Sequence, residues 1–199
     1  MPNWNSNHMV VTGPKEDLAK LKADAMVKEK GIDQFGKEYE YSSDFSFQKL
    51  LPLEHGNNWY EERYKKWGIK WDVDASCDWV DERGDCYRLS YYFDSPWCPP
   101  IAGINNVSKL YPTLTFELFY DEPGMGFFGD AVFRNGECTD NCQEYTEGYC
   151  TSCGASQSVG PDRPSQECWE CYKNTIVTKD EYEASVKSGV IKDLRKEGE

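Results

Sequence analysis

Apolar positions along the chain alternate between a strand period and a helix period. Residues 7–12, NHMVVT, are rich in β-branched side chains and run into Gly13-Pro14, which predicts a strand with a stop. Leu18, Leu21 and Ala25 then recur on one helical face. Pro14 suits the first helical position, Glu16 and Asp17 complement the positive end of the helix dipole, and Gly31 is expected to close the helix. The run FSFQKLLPL (45–53) predicts a second strand, with a helix as the alternative. WYEERYKKW (59–67) reads as a short amphipathic helix with Trp59, Arg63 and Trp67 about a turn apart. ASCDWV and CYRLSYYF flank Asp81, Glu82, Arg83, Gly84 and Asp85 as a hairpin flanks its turn. After SPWCPP, Ile104, Val107, Leu110 and Tyr111 form another helical stripe that ends before Pro112. LTFELFY (114–120) and GFFGDAVF (126–133), separated by an Asp-Glu-Pro-Gly turn, predict a second hairpin. Thr178 and Glu181 form a capping box that opens a C-terminal helix with a stripe through Tyr182, Val186 and Ile191.

This order predicts an α+β fold: a ferredoxin-like split βαβ antiparallel sheet with helices on one face. The chain's 199 residues suit one domain with a small appendage. Composition shifts near residue 138, because six of the nine cysteines lie between Cys138 and Cys171 in a stretch poor in aliphatic residues. The expected segments are an α+β domain at 1–137, a zinc-ribbon-like cysteine module at 138–174 and a helical segment at 175–199.

Charge narrows the function classes. The net charge is −13, from 22 Lys+Arg against 35 Asp+Glu. It is dispersed, with 15 basic against 23 acidic residues in 1–137 and 2 against 6 in 138–174. Phosphate backbones and anionic membrane surfaces both need cations, so direct nucleic-acid binding and membrane attachment are disfavoured. No run of apolar residues is long enough to span a bilayer, and MPNWNSNHMVVTG lacks the basic and apolar regions of a signal peptide. A cytoplasmic location is therefore expected, where cysteines serve as thiols or metal ligands more than as disulfides.

The cysteine spacing carries the strongest chemical signal. Cys150-Thr-Ser-Cys153-Gly154 is a C-x2-C-G knuckle, and Cys168-Trp-Glu-Cys171 repeats C-x2-C after 14 residues. Two such pairs are the pattern of a tetrahedral four-thiolate site, for which zinc is the favoured metal and a structural role follows from the closed coordination. Iron–sulfur ligation and free thiols are the alternatives. Cys138 and Cys142 are a competing first pair. Cys77, Cys86 and Cys98 read as small buried hydrophobes, with a Cys77–Cys86 cross-strand disulfide as the sharper alternative.

Catalytic signals are sparse. His8 sits in the first strand and His55 in a Gly/Asn-rich loop, and neither has an evident partner. GMGFFG (124–129) lies between strands where phosphate cradling would need a following helix. Asp72 and Asp74 suit an exposed strand face better than an acid–base pair.

Several fragments occur together: MPNWNSN at the start, WGIKWDVD at 67–74, SPWCPP at 95–100 and KLYPTLTFELFYDEPGMGFFGDAVFRNGE at 109–137. In this order they resemble the YubB-type ferredoxin-like-domain family of phages and mobile plasmids, over roughly residues 1–137. The resemblance implies a ferredoxin-like fold and a phage or plasmid context, and it brings no catalytic residues. Asn5 stands where many relatives are expected to carry a cysteine. Trp4, Trp67, Trp71 and Trp97 are expected to pack around the sheet edge. The functional expectation is a non-catalytic acidic accessory protein that binds a host protein with a basic surface, for counter-defence or host takeover. A zinc-ribbon-assisted nucleic-acid binder and an enzyme of unrecognised type are the alternatives.

Overall fold

The computed structural model describes residues 3–32, 36–54, 59–82, 86–160, 167–173 and 175–195, apart from the side chains of 79–82 and 86. The chain forms two compact units, 1–142 and 143–199. Cys138 and Cys142 therefore sit in the first unit, because residues 137–144 form a strand on the edge of its sheet. The C-terminal helix and the cysteine module fall within the same compact unit.

In the first unit, β1 (Trp4–Thr12) lies between β5 (Cys86–Pro96) and β6 (Thr115–Glu122), antiparallel to both. Outside them are β4 (Ala75–Glu82) on one side, and β7 (Phe127–Arg134) then β8 (Glu137–Glu144) on the other. The inward positions of β1, Met9 and Val11, are fully buried in one cluster with Leu89 and Tyr91 of β5, Phe116 and Leu118 of β6, and Phe133 of β7. Helices α1 (Lys15–Ala25) and α4 (Ile101–Leu110) add Leu18, Leu21, Ile104 and Val107 to that cluster. Both helices thus cover the same sheet face, as the ferredoxin-like layout requires. Helix α3 (Trp59–Trp67) ends with Trp67 buried, its indole N–H donating to the Leu51 carbonyl at 3.0 Å. Trp67 is thus a core residue and not one at the sheet edge.

Two elements differ from the sequence expectation. Helix α1 stops at Ala25, and Met26 is already extended, so Gly31 does not close it. Residues 27–32 instead form β2 (Val27–Ile32), paired with β3 (Glu38–Ser43) in a separate hairpin. The hairpin's side chains are nearly all polar or exposed, so no burial alternation betrays it. The run at 45–53 is one helical turn, α2 (Phe47–Leu50), and not a strand. A cap drawn from a distant segment decides this: Asp72 accepts from the backbone N–H groups of Phe47 (2.7 Å) and Gln48 (3.1 Å) and from the Ser46 hydroxyl (2.6 Å). Asp72 is thereby committed to a helix N-terminus and is not on an open strand face, whereas Asp74 is exposed.

The second unit holds a small sheet in which β9 (Thr146–Cys150) lies between β10 (Ser156–Val159) and β11 (Ile176–Thr178). Helix α5 (Lys179–Lys187) follows, opened by the Thr178–Glu181 capping box, and its Tyr182 ring packs 5.3 Å from that of Tyr149. Among the described residues, the buried cluster here is Cys150, Val159, Cys168 and Ile176. So small an apolar core needs a covalent or metal staple.

Candidate metal centre and the open sheet face

Strand β9 delivers Cys150 at its end, and the chain then turns back on itself. The Gly154 N–H donates to the Cys150 carbonyl at 2.8 Å. The second knuckle repeats the turn: the Tyr172 N–H donates to the Cys168 carbonyl at 2.8 Å. The residue after each second cysteine adopts the left-handed conformation, Gly154 at φ 76° and Tyr172 at φ 56°. At Gly154 the requirement is strict, because a Cβ there would collide with the Leu194 carbonyl.

These turns bring the sulfurs of Cys150, Cys153, Cys168 and Cys171 within 4.8 Å of one another. Cys150 and Cys171 sulfurs are 3.6 Å apart, and those of Cys153 and Cys168 are 3.5 Å apart. Four thiolates at zinc–sulfur distances of about 2.3 Å in a tetrahedron would have sulfurs about 3.8 Å apart, so the donor set fits one tetrahedral ion. The four residues that share C-x2-C spacing are the four whose sulfurs meet. Cys138 and Cys142 are exposed on β8 and are not among them.

Hydrogen bonds prepare Cys150 as a ligand. Burial alone would raise its thiol. The Thr175 hydroxyl at 3.1 Å and the Ser152 N–H at 3.3 Å, with the Cys153 N–H, outweigh burial and bring it down to about 6. The backbone N–H of Ala155 favours the Cys153 thiolate, but burial and the neighbouring sulfurs of Cys150, Cys168 and Cys171 push that thiol up to about 12. A cation is the natural means of holding all four deprotonated together.

The remaining candidates fall into structural roles. Burial raises the thiols of Cys77 and Cys98, which pack at the margin of the main core. Cys77 stands opposite Tyr91, and Cys86 opposite Glu82, so the register does not place these two cysteines across from each other. The His8 ring stacks on Tyr92 at 4.5 Å with 4° between the planes. Burial, then the Arg88 charge, lowers its pKa, so it is a neutral packed ring. His55 lies outside the described residues. GMGFFG enters β7 and no helix follows it. A cavity of about 600 Å³ beside Cys153 is lined by Tyr149, Trp169 and Arg195 among others. Its cation, Arg195, is already paired with Asp193 and Glu183. Among the described residues no helix is long and apolar enough to cross a membrane.

The sheet face opposite the helices was not anticipated. Even-numbered β1 residues point to it, and their neighbours form cross-strand rows. Tyr92, His8 and Phe119 make one row, with Asp130 beyond them on β7. Asp94, Ser6 and Asp121 make the next. Tyr92 and Phe119 are 45% and 47% exposed, so nothing described covers this face. Strand alternation shows which residues of one strand share a face, but which strands stand side by side is not encoded in it.

A family comparison agrees with the ferredoxin-like fold. Residues 66–159 match a family described as the ferredoxin-like domain in Api92-like protein. That match begins in α3 and runs through β10, so it takes in the first knuckle and leaves out residues 1–65. The protein YubB of Escherichia coli strain K12 is 30% identical over 83 residues, which cover 42% of this chain and 54% of that protein. The chain therefore spans about half the length of that relative. A crystal structure of protein api92 from Yersinia pseudotuberculosis is 22% identical, covers 50% of this chain and 39% of that one, and has a TM-score of 0.37.

Proposed function

We propose that this chain, whose ferredoxin-like region belongs with the YubB-type and Api92-like proteins, is a non-catalytic accessory protein of a phage or mobile element. It acts in the host cytoplasm through its acidic surface by binding a host protein that presents a basic surface, in counter-defence or host takeover. Its second unit is held by one structural zinc ion on Cys150, Cys153, Cys168 and Cys171.

The observation that carries this reading is the open sheet face, where the aromatic row of Tyr92, His8 and Phe119 adjoins the row that holds Asp94 and Asp121, on a chain of net charge −13. Aromatic rings and carboxylates together complement arginine and lysine, and the wider negative field steers a basic partner into contact. Two features weigh against catalysis. The described histidine, His8, is stacked as a neutral ring, and the four-thiolate site leaves no open coordination position.

Co-purification from host lysate at low salt, followed by salt titration and a metal assay on the same sample, tests this function. The expected result is a specific partner that dissociates as salt rises, together with one zinc ion per chain. Absence of any specific partner at low salt would end the reading. A mobility shift with nucleic acid at low salt would favour a nucleic-acid binder instead.

A further inference from the structure

Three sequence segments singled out by their motifs meet on the surface of the first unit. Trp4 comes from the start of β1, Trp71 from the loop before β4, and Trp97 from the turn after β5. Their rings form a ladder, with Trp4 6.4 Å from Trp71 and Trp71 5.9 Å from Trp97, the second pair stacked. None belongs to the buried core: Trp4 is 53% exposed, and Trp71 and Trp97 are each 36% exposed. Clustered exposed tryptophans mark interaction sites more than folding needs. Trp97 is moreover held at φ 64°, a costly conformation for a bulky residue, and its N–H is tied to the Asn3 carbonyl at 2.9 Å. Such strain persists where the displayed side chain has a use.

The ladder already accepts a cation. The Lys70 ammonium lies 4.6 Å from the Trp71 ring centre and 5.6 Å from that of Trp97. On the sheet face, Trp4 is followed two positions along β1 by Ser6, which stands between Asp94 and Asp121. A cation seat is thus continuous with a row of carboxylates.

We infer that Trp4, Trp71 and Trp97 form a seat for an arginine or lysine side chain in an extended basic segment of a partner protein, a seat that Lys70 fills in the free chain. The bound segment runs from the ladder onto the carboxylate row, and its incoming cation displaces Lys70 into solvent. This inference rests on the reading of a basic protein partner and names the surface that meets it. A nucleic acid would bring phosphates against Asp94 and Asp121 and is disfavoured there.

Binding of a fluorescein-labelled octa-arginine peptide to the full chain, followed by anisotropy at low salt, tests the seat. Trp71→Ala and Trp97→Ala should each weaken binding roughly tenfold, the size of a partly desolvated cation–π contact. Lys70→Gln should tighten it several-fold, and more than Lys109→Gln, which removes the same charge from α4 on the opposite sheet face. Trp169→Ala, in the second unit, should leave it unchanged. Equal affinities for wild type and both ladder variants would overturn the seat while leaving the basic-partner reading intact. Lys70→Gln without effect, or no stronger than Lys109→Gln, would also overturn it. No peptide binding together with no host partner at low salt would remove both readings. A labelled oligonucleotide that binds the ladder in place of the peptide would overturn the choice of occupant.

Discussion

Each thiol of the Cys150–Cys171 cluster is useful only in the company of the others. Replacing Cys168 with serine should abolish stoichiometric metal, as read by native mass spectrometry, and should speed amide exchange around β9 and β11. Gly154→Ala should move both readouts the same way without touching a ligand, because a Cβ there meets the Leu194 carbonyl and the knuckle cannot close. A second residue-scale test concerns Asp24, which accepts from the Tyr111 hydroxyl at 2.7 Å. That bond, then the bond from Lys20, holds the Asp24 carboxyl below its usual 3.8. A carboxyl lowered in the folded state adds stability at neutral pH that is lost as acidification protonates it. Tyr111→Phe should therefore flatten the fall in melting temperature between about pH 5 and pH 3. The cysteine pairing was legible because ligand spacing is local. The role of Asp72 was not, because the groups that donate to it lie 24 to 26 residues away.

Elements that alternate between core and solvent could be read directly, as β6 shows with Phe116, Leu118 and Tyr120 inward. Helix α4 was equally legible from Ile104 and Val107. The β2–β3 hairpin was not, since its pairing contributes backbone hydrogen bonds with little buried apolar surface. Nor was α2, where FSFQKLLPL fits either period and Asp72, from a distant segment, joins Ser46 in capping the turn. Packing between elements offers its own test at Gly103 of α4. A Cβ there would lie 2.6 Å from the Phe47 ring and 2.8 Å from the Trp67 carbonyl. The backbone neighbour cannot rotate aside. Gly103→Ala should therefore destabilise the first unit by about 1–3 kcal/mol despite alanine's higher helix propensity. Urea unfolding followed by tryptophan fluorescence measures this.

For the whole molecule, the two units have separate buried clusters of very different size. Stripping the metal with a strong chelator should unfold residues 143–199 while the first unit keeps its exchange protection. Hydrogen exchange with mass readout distinguishes this from global unfolding, which would mean that the first unit depends on the metal too. Net charge and cysteine clustering were visible in composition alone. The face that concentrates rings and carboxylates was not, because it is assembled from strands far apart in sequence. On the proposed function, this face and the tryptophan ladder beside it recognise a basic partner. Carbodiimide footprinting of carboxylates, with and without the partner captured at low salt, tests it most directly. The expected result is protection at Asp94 and Asp121, with the labelling of Asp17 and Glu61 unchanged. Protection confined to those latter residues, with Asp94 and Asp121 labelled as in the free chain, would contradict it.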